Sequence, residues 1–175
     1  MKTRRSLAKP TSINELNVDL FQPEEVDRFA DPKEARKKAM DYLARREYGQ
    51  TELINKLCNA GFHSDVSASE VERLTEDNLQ SDQRFAESFV QSRINQGKGP
   101  VRIRLDLSQR GVADSEVEYA IEASAANWYE LARDVRQRKF GVDQPFDFQG
   151  KAKQMRFLQY RGFEQDHIQA AFRSE

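Results

Sequence analysis

From Pro32 onward, apolar residues recur at the spacing of one helix face. Ala35, Ala39, Tyr42 and Leu43 stand at i, i+4, i+7 and i+8. They predict a first helix, closed after Arg45-Arg46-Glu47-Tyr48 by Gly49. Thr51 is placed to cap a second, with Leu53, Ile54, Leu57 and Cys58 on one side, and Gly61 stops it. Ser67-Ala-Ser-Glu70 has the form of a capping box and predicts a third helix holding Val71 and Leu74. Asp82 is placed to cap a long helix through Phe85, Ala86, Phe89, Val90 and Ile94. Gly97-Lys-Gly99-Pro100 then breaks the pattern, and Pro100 suits the first position of a new helix.

The stretch Val101-Arg-Ile103-Arg-Leu105-Asp-Leu107 alternates apolar and polar. Taken alone, that pattern argues equally for a strand. An internal repeat decides it. Leu57-Cys-Asn-Ala-Gly61-Phe62, Leu107-Ser-Gln-Arg-Gly111-Val112 and Leu158-Gln-Tyr-Arg-Gly162-Phe163 share one form. Each is a helix end, with glycine in the left-handed conformation and an apolar residue folding back behind it. A short amphipathic helix follows each copy. Asp114-Ser115 precedes Val117, Ala120 and Ile121, and Asp166 precedes Ile168, Ala171 and Phe172. In the first copy this helix is expected to start about four residues later. The stretch is therefore read as helical. Trp128, Leu131, Ala132 and Val135 open the third copy, and a loop from Phe140 to Phe148 leads to the helix ending at Gly162.

The expected fold class is all-α: three tandem three-helix repeats forming an elongated, curved array. Each unit is read as unable to bury its own apolar face. The expected boundaries are residues 1–31, a mostly disordered arm, then repeats at 32–81, 82–125 and 126–175. Within the arm, residues 21–29 carry a weaker pattern for a short helix with Pro23 in its first turn.

Composition narrows the function. Charged residues make up 33% and apolar residues 38%, a polar balance that suits a thin core. A net charge of −1 announces no global attraction to nucleic acid. Cys58 is the only cysteine, which excludes an internal disulfide and fits a reducing cytosol. No apolar run approaches a membrane span or a signal h-region, so the expected location is cytoplasmic.

Several spaced motifs together resemble the RecX family, bacterial modulators of the RecA recombinase. They are Tyr42-Leu-Ala-Arg-Arg-Glu-Tyr48 with Glu52-Leu53, and Ser81-Asp82-Gln-Arg-Phe85-Ala86. Gly97-Lys-Gly99 with Ile103 and Leu107, and Arg110-Gly111-Val112, complete the set. The likeness covers roughly residues 34–173. Ser81-Asp82 stands where many members have paired aspartates. The resemblance implies a monomeric protein that binds RecA and the RecA–single-stranded DNA filament and lowers strand exchange, ATP hydrolysis and co-protease action. Weak direct contact with DNA is a second expectation.

Charge along the chain supports a binding surface. Residues 33–62 carry +3, 63–83 carry −5 and 84–112 carry +4. Residues 113–125 hold four acids and no base, and residues 132–161 carry +5. The first two helices of each unit are basic and the third tends to be acidic. Candidate partner-binding residues are Arg45, Arg46, Arg93, Lys98, Arg102, Arg104, Arg133, Arg136, Lys139, Lys151, Lys153 and Arg156. For each one singly, a solvated helix face is the competing reading. Tyr42, Tyr48, Phe85, Phe89, Trp128, Phe163 and Phe172 fit the core stripes. Phe140, Phe146 and Phe148 lie in the least regular loop, suited to stacking on bases, docking in a protein groove or closing the last core.

Catalysis finds little support. His63 and His167 fall on different repeats, Cys58 sits on an apolar face, and no metal-ligand or phosphate-loop spacing occurs. No enzyme activity, metal or cofactor is expected. The alternatives to a RecA-binding regulator are a helical DNA-binding protein, with residues 150–161 as its recognition helix, and a scaffold for other proteins.

Overall fold

The computed structural model describes residues 27–173, all helix and loop with no strand among them. The first unit holds α1 (Pro32–Leu43), α2 (Gln50–Asn59) and α3 (Ser64–Glu76). The second holds α4 (Asp82–Asn95), α5 (Pro100–Ser108) and α6 (Asp114–Ala123), and the third α7 (Trp128–Phe140), α8 (Phe148–Arg161) and α9 (Gln165–Ala170).

The alternating stretch is indeed helical, and its helix explains the alternation. Ile103 and Leu107 point inward with no exposed surface, while Val101 and Leu105 are each 48% exposed on the outer side. Four apolar residues at period two become two inward and two outward on a helix of 3.6 residues per turn.

The third helix of every unit starts three residues after the repeat's glycine, at Ser64, Asp114 and Gln165. The expected delay in the first copy is therefore wrong. Ser67 is no cap but a buried residue inside α3, and Glu70 pairs with Arg73 at 2.8 Å. Three further caps move by one or two residues. Gly49, not Thr51, precedes α2. Ser81 caps α4, its hydroxyl accepting from the Arg84 amide, and Ala113 precedes α6. In each case an acidic or polar residue in the first turn imitates the cap in sequence.

Each unit buries its own core, contrary to the expectation that none could. Leu53, Leu57, Val71 and Leu74 fill the first, with Tyr48 over them. Phe85, Val90, Ile103, Leu107 and Ile121 fill the second, and Val135, Leu158, Phe163 and Ile168 the third. Helices that pack extensively on one another belong to the same unit. The aromatic residues assigned to core stripes are buried or packed against these clusters.

The units join end to end through their second helices. Gly111, closing α5, packs against Thr51 in the first turn of α2, and Gly162, closing α8, packs on Arg102 in the first turn of α5. At this second joint the carbonyls of Arg161 and Gly162 accept from the amides of Gly99 and Val101, at 2.9 and 3.0 Å. The orphan acceptors of one helix end thus satisfy the orphan donors of the next helix start. At the first joint Asp82 supplies the acceptor instead, its carboxylate taking the Gln50 amide at 2.7 Å and the Gln80 side chain at 2.8 Å. Gln80 is buried and also donates to the Tyr48 carbonyl. At the start of α8 Asp147 caps the helix itself, its carboxylate accepting from the Gly150 amide.

The arm lies mostly outside the described residues, including 21–26 of the helix expected there. Residues 27–31 are described. Phe29 covers Gly61 and meets Phe62 edge to face at 5.7 Å, and its carbonyl accepts from the His63 amide.

Candidate partner-binding face

The outward half of α5 carries an aliphatic pair. Val101 and Leu105 are four residues apart, one turn, and so lie side by side. Helical geometry sets Arg102 on one flank and Arg104 on the other. An exposed apolar pair bracketed by guanidiniums is the pattern of an anchored protein contact, where Arg is enriched and water is displaced around a small centre.

A cationic cradle lies beside it, at the joint of the second and third units. Arg161, Arg102 and Arg93 stand close enough to Lys98 to act on its ammonium. Burial holds the Lys98 ammonium below the usual lysine value, and repulsion from Arg161 and Arg102 lowers it further. Among the described residues, Asp106 is the carboxylate that opposes them. It takes Arg102 Nε at 2.8 Å and lies 3.5 Å from Arg93 Nε, with its side chain only 10% exposed. Its backbone carbonyl accepts from Arg110 at 2.6 Å. Arg93 and Arg110 also lie against the Phe89 ring, at 4.4 and 4.8 Å from its centre.

The cradle opens into a shallow cavity of about 240 Å³ lined by Gly97, Val135, Arg138, Lys139, Phe157 and Arg161, among others. Arg161 ties the two sides together by donating to the Gln96 carbonyl at 2.9 Å. Arg110, Arg138 and Arg161 were not among the sequence candidates. Arg161 ends the helix before the repeat glycine, a position the internal repeat marks as a joint.

The structure thus gathers Arg93, Lys98 and Arg102 around Asp106, with Lys139 lining the adjoining cavity; Arg104 flanks the aliphatic pair, and the remaining candidates lie elsewhere. Arg104 is committed to its own chain. It holds Glu118 through two contacts, at 2.7 and 3.0 Å, and Glu164 at 3.0 Å, so it clamps the third unit onto the second. Its hydrogen bond keeps the Glu118 carboxyl below the usual range. Arg46 lies 3.6 Å over the Tyr48 ring and bonds Glu52 at 2.6 Å. Arg45 is exposed beyond the end of α1. Arg136 is 1% exposed and reaches the carbonyls of Asp143 and Val142. Arg133 is half-buried on the same helix. Lys151, Lys153 and Arg156 are exposed on α8, and Lys151 approaches the Phe172 ring.

The groups with chemical potential elsewhere are engaged. His63 pairs with Asp27 at 3.1 Å. His167 is buried, and its Nδ1 accepts from the Glu164 amide in a capping box. Glu164, Asp166 and His167 bring possible metal-ligand atoms within 4.8 Å of one another. Arg104 already takes Glu164, and the Tyr129 hydroxyl donates to Asp166 at 2.8 Å. Cys58 is half-buried. No helix among the described residues is long and apolar enough to cross a membrane.

Comparison with known proteins places this arrangement. The first, second and third three-helix domains of RecX match residues 35–74, 81–121 and 127–172. A regulatory protein RecX of Pseudomonas putida is 46% identical over 137 residues, covering 78% of this chain and 88% of its own. That of Pseudomonas syringae pv. tomato is 44% identical over the same length. The crystal structure of RecX from Lactobacillus salivarius superposes with a TM-score of 0.65 at 24% identity, covering 80% of this chain and 93% of its own, and so shares the fold. The chain belongs to the RecX family of regulatory proteins.

Proposed function

We propose that this RecX-family chain regulates the RecA recombinase. It binds RecA and the RecA filament on single-stranded DNA, and it lowers recombinase, ATPase and co-protease activity during DNA repair and the SOS response. It does so as a cytoplasmic monomer, by binding and without catalysis.

The outer face of α5 is the observation that supports this reading best. Val101 and Leu105 expose aliphatic surface that the chain's own core does not use. The cradle of Lys98, Arg102 and Arg161 beside them carries more positive charge than Asp106 cancels. Such a pairing suits an acidic, partly apolar groove of a protein partner better than a bare phosphate backbone, which offers nothing to an aliphatic pair.

Co-sedimentation with RecA filaments tests it. At physiological salt the wild-type protein pellets with filaments far more than with single-stranded DNA alone, because a phosphate-directed contact by itself weakens steeply as salt rises. Leu105→Asp, at a position 48% exposed, reduces pelleting about tenfold or more, with far-ultraviolet circular dichroism to check that the variant keeps its fold. Pelleting that is equal with and without RecA would replace this reading with a DNA-binding role.

A further inference from the structure

The loop between α7 and α8 holds its aromatic residues outside the fold. Phe140 does turn toward the fold, meeting Phe157, which packs on the last core, edge to face at 5.2 Å. Phe146 and Phe148 do not. They are 107% and 85% exposed, as open to water as an isolated residue. Two bare phenyl rings cost solvation free energy unless they serve a contact.

Their position is built rather than slack. Arg136, buried beneath the loop, donates to the carbonyls of Asp143 and Val142 at 3.1 and 3.3 Å and to Gln154 at 3.3 Å. Asp147, between the two rings, turns its carboxylate back to the Gly150 amide at 2.6 Å. That acid is therefore spent on the helix start.

Beyond Phe148, at the first position of α8, Lys153, Arg156 and Tyr160 lie exposed along one side of the helix, Tyr160 at 79%. Lys153, Arg156 and Tyr160 stand at i, i+3 and i+7, one stripe of the helix. The helix contains no acidic residue. Rings at both ends of a cationic stripe reproduce what single-strand binders use: cations that track the phosphates and π-faces that take unstacked bases. The aliphatic anchors that mark the α5 face are missing from this stripe, which favours nucleic acid over a protein groove.

We propose that the exposed face of α8, with the Phe146–Phe148 loop before it, binds single-stranded nucleic acid. Phe146 and Phe148 stack on bases, Lys153 and Arg156 meet phosphates, and Arg136 is the positioning residue that holds the loop. A duplex, whose bases are already stacked, offers the rings no partner and binds more weakly. This surface is distinct from the α5 face and acts without RecA.

Fluorescence anisotropy of a labelled oligothymidylate, titrated with the full chain in the absence of RecA, tests the proposal. Binding is expected at low salt, tighter than to a duplex of equal length. The double variant Phe146→Ala, Phe148→Ala weakens it roughly tenfold or more and leaves the salt dependence unchanged. The double variant Lys153→Glu, Arg156→Glu lowers the slope of log K against log salt by about 1.4. All four positions are exposed, and far-ultraviolet circular dichroism checks that the variants keep the fold. Absence of binding at low salt, equal affinity for duplex, or indifference to the phenylalanine changes would overturn the proposal. Loss of RecA co-sedimentation in the phenylalanine variant with no oligonucleotide binding by the wild type would assign the surface to protein instead. Because this assay contains no RecA, its failure leaves the α5 reading standing.

Discussion

Gly162 packs its backbone directly onto Arg102, so the end of α8 seats on the start of α5 with no side chain between them. Gly162 has φ +88°, in the left-handed region, and a methyl group there would collide with Arg102. Both penalties act on Gly162→Ala. The conformational part costs about 1–2 kcal/mol, and displacement of the joint brings the total to about 2–4 kcal/mol. Urea denaturation should show the loss. A second, earlier transition would mean that the third unit has come loose from the first two.

Asp106 sets the charge of the cradle. Asp106→Asn removes the carboxylate that Arg102 and Arg93 share in a mostly buried setting. Stability should fall by about 1–3 kcal/mol, read from the urea midpoint. Affinity for an acidic partner should rise in the same variant, because the cradle gains one net positive charge. A variant that is both less stable and weaker in binding would mean that Asp106 positions the contact rather than opposes it.

Lys98 behaves in the opposite sense. Its pKa is lowered in the fold, by burial and by Arg161 and Arg102. The unfolded chain therefore holds this proton more tightly, and folding stability rises as pH climbs through the folded value toward the ordinary lysine value. Lys98→Met should raise the melting temperature at neutral pH and flatten that alkaline rise. The same change should weaken partner binding. A fall in melting temperature would show that Lys98 is held by an attraction that outweighs the repulsion.

Arg104 gives an acid-side counterpart. It depresses the Glu118 pKa below the unfolded value. The stability this adds is full above about pH 4.3, the ordinary glutamate value, and is lost as pH falls through the folded value. Arg104→Gln should remove that acid-limb dependence. Glu118 is half exposed, so the change at neutral pH should be small. Urea midpoints followed from about pH 6 down to about pH 3 would show two curves that converge at the acid end.

Much of the fold was legible in the sequence because the repeat carries it. Three glycine-marked helix ends at nearly equal spacing fixed the architecture, and they overruled the strand-like alternation of residues 101–107. Helix starts were harder to read. Thr51, Ser67 and Asp82 are polar residues near a helix beginning, and sequence cannot tell a cap from a first-turn position. Thr51 in fact packs into the space that the missing side chain of Gly111 leaves, a contact sixty residues away in the chain. Basic residues were legible as a set and not singly. Arg46, Arg104 and Arg136 look like Arg102 in sequence. Three-dimensional partners decide that Arg104 clamps two units and Arg136 holds a loop. Arg161 was overlooked because its partners, the Gln96 carbonyl and the Lys98 neighbourhood, arrive from the preceding unit. The exposure of Val101 and Leu105 had a signal in the alternation itself, once the segment is taken as helical.

The central claim is that the α5 face acts on the RecA filament. The most direct measurement is the single-strand-DNA-dependent ATPase rate of the cognate RecA, titrated with the wild-type protein and with Val101→Asp, Leu105→Asp. The account predicts that the wild type lowers the rate at concentrations that leave free DNA unbound. It predicts that the double variant needs at least about tenfold more protein for the same effect. An unchanged rate with active wild-type protein, or full inhibition by the variant, would contradict it.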